Sequence, residues 1–255
     1  MRKVLSRAYL VLILLFLYLP IGTLMVLSFN QSKAMTVWKG FTTDWYKEMF
    51  QNSQFLEAIW NTFTIAAVSA LAATLIGTLG AMGIQGMRKR WQNLYLGLNN
   101  IPLLNADIVI GISLMMTFLA VGLPLSWWTV LLAHITFSIP YVILSVLPKL
   151  RTLTPNAYEA ALDLGATPAY AFRKVVLPDI WPGITSGFLL AFTMSVDDFV
   201  VTHFTRGAGI NTISTLIYSQ VKVGIRPTLF ALSTVIFLMV LAVLVLFNVV
   251  SERKK

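Results

Sequence analysis

No cysteine occurs among the 255 residues, which excludes disulfides, cysteine nucleophiles and thiolate metal sites. Histidine is nearly as scarce. His134 and His203 stand alone, without a second ligand-type residue at i+3 or i+4, so a hydrogen-bonding role is expected rather than a metal site. No GxxxxGK[ST] run is present, so this chain is not itself a nucleotide-hydrolysing subunit. Charge is thin: 11% of residues are charged, against about 25% in soluble domains, and 57% are hydrophobic. The net charge of +9 does not point to nucleic acid, because Lys and Arg cluster between the hydrophobic runs, where they orient a membrane chain. Linkers, internal repeats and low-complexity stretches are also missing, so residues 1–255 are expected to form a single integral-membrane domain.

What is there is a series of long apolar runs. A bilayer core of roughly 30 Å needs about 20 apolar residues in a helix. Six segments qualify: 8–29, 61–84, 101–121, 128–147, 180–201 and 229–250. The first follows Arg2, Lys3 and Arg7, is longer than a signal-peptide core and lacks a small-residue cleavage site, so it reads as a retained membrane helix. The fold expected is an all-α membrane protein with six transmembrane helices. Of the 19 Lys and Arg residues, Arg2, Lys3, Arg7, Arg88, Lys89, Arg90, Lys149, Arg151, Arg173, Lys174, Arg253, Lys254 and Lys255 fall on one side. That side should be cytoplasmic, with both termini.

The same side carries 154–178. Thr154-Pro155 and Thr167-Pro168 each pair a side-chain cap with a proline in the first turn, and Gly165 lies between them. Two short helices with a sharp turn are expected, in the manner of a docking element beside the membrane. Small residues recur every fourth position in the second span (Ala73, Gly77, Ala81) and the fifth (Gly183, Gly187, Ala191, Ser195), implying close helix approach. Pro140 should kink the fourth. The opposite side holds an aromatic loop (Trp38, Phe41, Trp45, Tyr46, Phe50), suited to an interfacial belt or to a landing surface for an external delivery protein. It also holds a helical piece at 211–222 with Ile213, Leu216, Ile217 and Val221 on one face.

Carboxylates within spans cost on the order of 3 kcal/mol at a helix centre and so invite a function. Asp107, Asp197 and Asp198 are the candidates for a cation route. Each has a structural alternative: Asp107 at a helix N-terminus, Asp197 and Asp198 capping a turn or pairing with an Arg. Helical periodicity aims Asp198 into the small-residue stripe and Asp197 away from it. Phe192, Phe199, Trp127 and Trp128 are candidate aromatic faces for a polycation. Ser195 has no base nearby in sequence and is assigned no nucleophilic role.

The run EAALDLGATPAYAFRKVVLP, 159–178, resembles the EAA loop of ABC importer permeases in Glu159, Ala160, Ala161, Gly165, Ala166, Phe172, Leu177 and Pro178. The resemblance implies a coupling helix pair that fits a cleft in a cytoplasmic ATPase. GFTTDWYKEMF (40–50), NADIVIGISL (105–114), HITFSIPYV (134–142) and AFTMSVDDFVVTHF (191–204) resemble the spermidine/putrescine, or polyamine, branch of those permeases. What this implies is a type I permease in a bacterial inner membrane. It would pair with a second permease subunit, two copies of an ABC ATPase and an extracytoplasmic polyamine-binding protein. ATP and Mg would be used by the ATPase, with no cofactor in this chain and no enzymatic activity of its own. The alternatives are a permease for another small solute and, in a different class, an ion-coupled secondary transporter.

Overall fold

The computed structural model describes residues 2–33, 36–152 and 155–252. In chain order the helices are α1 (Arg2–Leu27), α2 (Asp44–Gln51), α3 (Ser53–Gln85), α4 (Lys89–Leu104), α5 (Asp107–Ala120), α6 (Trp127–Thr152), α7 (Pro155–Asp163), α8 (Pro168–Ala171), α9 (Leu177–Asp197), α10 (Val200–Thr205), α11 (Ile213–Val223) and α12 (Pro227–Glu252). A π-helical turn, Phe172–Val176, joins α8 to α9. Among the described residues, four helical segments are long and apolar enough to cross a membrane, and α4 with α5 makes a fifth if that bent pair is one span. The sixth expected segment lies within α12.

The chain divides into two compact units, one of 1–57 with 216–253 and the other of 58–215. In the first, α12 packs on α1 and α2. The loop between α1 and α2 is tied around Asn30. Its side-chain oxygen accepts the Ser32 and Lys39 N–H groups, its amide donates to Val37, and its carbonyl accepts the Trp45 indole at 2.8 Å.

The second unit is built on α6. A Cβ on Gly77 of α3 would lie 2.7 Å from Val142 Cβ, and one on Gly187 of α9 would lie 3.2 Å from Val142 Cα. One valine is therefore held between two glycines, and α3, α6 and α9 approach closely because both partners lack a side chain there. Gly183 sits equally tightly against Lys149 and the Ser145 carbonyl. The small-residue stripes expected at a spacing of four are these contacts. Gly83, on α3 but off its stripe, has nothing within 4 Å of its notional Cβ.

Two expected spans end differently from the reading above. The run 101–121 is not one helix: α4 and α5 meet at a 105° bend. Asn105 ends α4 by donating its side-chain amide back to the Ile101 carbonyl at 2.9 Å, and Ala106 is extended. A short polar side chain that competes for backbone partners stops a helix even in an apolar run. The fifth span, expected at 180–201, begins earlier and stops earlier. A continuous helical run extends from Pro168 to Asp197, and Asp198 turns extended before α10 begins. The helix α6 runs continuously through Pro140 and Pro148.

Candidate functional site

Asp107, Asp197 and Asp198 come together. All three line one cavity of about 200 Å³ in the second unit, walled also by Phe137, Tyr141, Met194 and Phe199. Chain breaks put them there. Asp107 is the first residue of α5, where a negative charge suits the helix N-terminus. Asp197 ends α9 and is exposed. Asp198 stands in the break, with a side chain only 9% exposed. Of the expected aromatic faces, Phe199 lines the cavity. Phe192 instead packs on Phe63 and Phe188, and Trp127 and Trp128 pair edge to face at the start of α6. Phe137 and Tyr141, one turn apart on α6, are cavity aromatics that the sequence reading missed; their i, i+4 spacing was the available signal.

Asp198 takes both of its structural alternatives in part. Its carboxylate accepts the Val201 N–H at 3.2 Å, the Thr202 N–H at 2.7 Å and the Thr202 hydroxyl at 2.8 Å, capping α10. Its ionisable neighbour is His134 of α6, 3.5 Å away, rather than an Arg. The imidazole is 1% exposed. Its Nε2 lies 2.9 Å from Thr202 Oγ1 and its Nδ1 lies 2.6 Å from Ser195 Oγ, which reaches Ser69 Oγ of α3 at 3.2 Å.

Ser195, His134 and Asp198 thus have the composition of a hydrolytic triad, and the base that sequence spacing did not offer Ser195 is present in space. The geometry does not support that chemistry. Ser195 is 3% exposed, is absent from the cavity wall and sits inside a regular helix, where the backbone N–H groups are spent on the helix and cannot form an oxyanion hole. Among the described residues no three His, Asp or Glu side chains are placed to hold a metal ion.

The second candidate is the α7–α8 hairpin. Gly165 adopts φ +84°, and the Ala166 N–H bonds back to the Ala161 carbonyl at 3.0 Å, the six-to-one closure of a glycine-stopped helix. Thr167 caps α8 through the Tyr170 N–H at 3.4 Å, with Pro168 in the first turn. Thr154, the other expected cap, lies outside the described residues. Glu159 and Ala160 are exposed, Ala161, Ala166 and Phe172 are half-buried, and Leu164 at the tip is 89% exposed. Around the loop between α1 and α2, Trp45 and Tyr46 are anchors, Tyr46 bonding Ser28 at 2.6 Å, while Trp38, Phe41 and Phe50 are exposed.

Long apolar helices, helix breaks at a cavity that collects three carboxylates, and an exposed capped hairpin are the features of a membrane transport subunit. Residues 73–255 match the family of binding-protein-dependent transport system inner membrane components, and this chain belongs to it. It is similar to the spermidine/putrescine transport system permease protein PotC of Haemophilus influenzae, with 36% identity over 252 residues, 99% of this chain and 98% of that one. It is 40% identical over 228 residues to the putrescine transport system permease protein PotI of Escherichia coli K12, covering 87% and 81%. In fold it resembles a chain of a bacterial ABC transporter involved in the import of the acidic polysaccharide alginate, with TM-score 0.77 and 21% identity over 99% of this chain and 96% of that one. The chain is therefore a multi-pass inner-membrane transport component and not an enzyme, as the sequence led us to expect.

Proposed function

We propose that this chain is the permease subunit of an ATP-driven importer of polyamines, with spermidine and putrescine as cargo. The observation that carries the reading is the single cavity that collects Asp107, Asp197 and Asp198 beside Phe137, Tyr141 and Phe199. Linear polycations require spaced carboxylates and aromatic faces. The permeases PotC and PotI, which are similar along most of the chain, are named for such cargo. The fold alone does not choose cargo, since a chain of the same fold belongs to an importer of an acidic polysaccharide; the acidic residues of the cavity support a cationic one.

A second permease subunit completes the path, an extracytoplasmic polyamine-binding protein delivers cargo, and two copies of an ABC ATPase drive the cycle with ATP and Mg. The α7–α8 hairpin is the coupling element. Glu159, Ala160 and Ala161 meet the ATPase, Gly165 and Ala166 form the turn, and Phe172 anchors the pair. Both termini and the hairpin are cytoplasmic, on the side richer in Lys and Arg. The test is ATP hydrolysis by the assembled complex with the delivery protein. Spermidine or putrescine should raise the rate severalfold, and Asp107→Asn and Asp198→Asn should each weaken the response while the complex stays assembled. Stimulation by anionic cargo instead, or full stimulation in both variants, overturns the cation route.

A further inference from the structure

Three carboxylates line the cavity, and they are not equivalent. Among the described residues, no hydrogen bond or ion pair engages Asp107 or Asp197, and both are exposed. Asp198 is already occupied by two backbone N–H groups and a hydroxyl. An ionised carboxylate accepts only, so the single Thr202 hydroxyl proton is directed at Asp198. Thr202 Oγ1 must then accept from His134, which places a proton on Nε2 of that ring at 2.9 Å. Nδ1 faces the Ser195 hydroxyl at 2.6 Å, and Ser195 continues to Ser69. The imidazole is thereby held at both nitrogens by α9 and α10 and cannot rotate without breaking one bond or the other.

We propose that His134 is a positioning residue for cargo: acting through Thr202, it fixes Asp198 as the cap of α10, and so sets the wall of the cavity that Asp107 and Asp197 complete. This rests on the cargo-binding reading of the cavity. The wall in question is short and depends on the cap. Phe199, Val200 and Val201, which line the cavity, lie in or beside the first turn of α10. That helix fits closely on α5, since a Cβ on Gly111 would lie 3.1 Å from Phe204 and 3.4 Å from Val201 Cα. Its far end is held separately, where the Thr129 hydroxyl donates to the Thr205 carbonyl at 2.8 Å. Releasing the cap therefore leaves the Val201 and Thr202 N–H groups without their acceptor at the cavity wall, while the far end stays docked.

Equilibrium binding of spermidine and of putrescine to the purified complex, without its delivery protein, tests this, with the thermal unfolding midpoint measured on each sample. Thr202→Val keeps the shape and removes the hydroxyl; it should raise the Kd at least tenfold. Thr202→Ser keeps the hydroxyl and should stay within threefold of native. His134→Gln, whose amide N–H reaches toward Thr202, should follow Thr202→Ser, and His134→Leu should follow Thr202→Val. A Thr202→Val complex with native Kd overturns the proposal, whether or not its unfolding midpoint falls. If the native complex binds neither polyamine, the cargo reading fails and this inference falls with it; that result is distinct from binding that is normal in the native complex and unchanged in Thr202→Val.

Discussion

At the scale of single residues, tolerance to change follows how closely helices approach. Gly77 and Gly83 lie on the same helix, yet a side chain on Gly77 would overlap Val142, whereas one on Gly83 meets nothing within 4 Å. Gly77→Ala should lower stability by about 1–3 kcal/mol, the usual range for overpacking a filled site. Gly83→Ala should be neutral or slightly stabilising, because Ala is favoured over Gly in a helix interior. Thermal unfolding in detergent separates the two, and equal midpoints would contradict the packing described. Much at this scale was legible in the sequence. A spacing of four marked the glycine stripes, but the helical period does not place Asp198, which stands extended beyond the end of α9 and is held by α10. Legibility ended where partners are remote: His134 meets Ser195 and Thr202 across 61 and 68 positions, and no local pattern records that meeting.

At the scale of elements, the informative feature is the run from Pro168 to Asp197. Pro178 cannot donate an N–H, and the wider π-turn ahead of it, in which Leu177 bonds five residues back to Phe172, carries the chain past without a break. Thirty residues at 1.5 Å each make a rod of about 45 Å. It begins at the hairpin and ends at the cavity carboxylates, so the same piece of chain carries both candidate sites. Glu159→Lys and Gly165→Asp should leave membrane insertion intact but abolish cargo-stimulated ATP hydrolysis; the second also forces a side chain into φ +84°, at a cost of roughly 1–2 kcal/mol. Normal coupling in both would remove the hairpin from its proposed role. The sequence showed the hairpin, through Gly165 and Thr167-Pro168, but not its fusion to the fifth span. Polar Arg173 and Lys174 interrupt the apolar pattern there without interrupting the helix. The bend at Asn105 was hidden for the opposite reason, an apolar run continuing across a backbone break.

At the scale of the whole molecule, the scarcity of one residue becomes a tool. Because no cysteine is present, a single introduced one reports alone. Phe41→Cys, at a position 71% exposed in the loop proposed to face outward, should react with a membrane-impermeant maleimide on intact spheroplasts. Leu164→Cys at the hairpin tip should react only after permeabilisation, and the reverse pattern would invert the proposed orientation. One consequence of the helix breaks concerns letting go rather than holding. Asp107 stands at the positive end of the α5 dipole, and Asp198 accepts two backbone N–H groups from the first turn of α10. Each anion is thus partly muted by the backbone that presents it. On the proposed route, a polycation passing between them would meet a shallow well rather than a trap, and turnover would not have to wait on an overly tenacious grip.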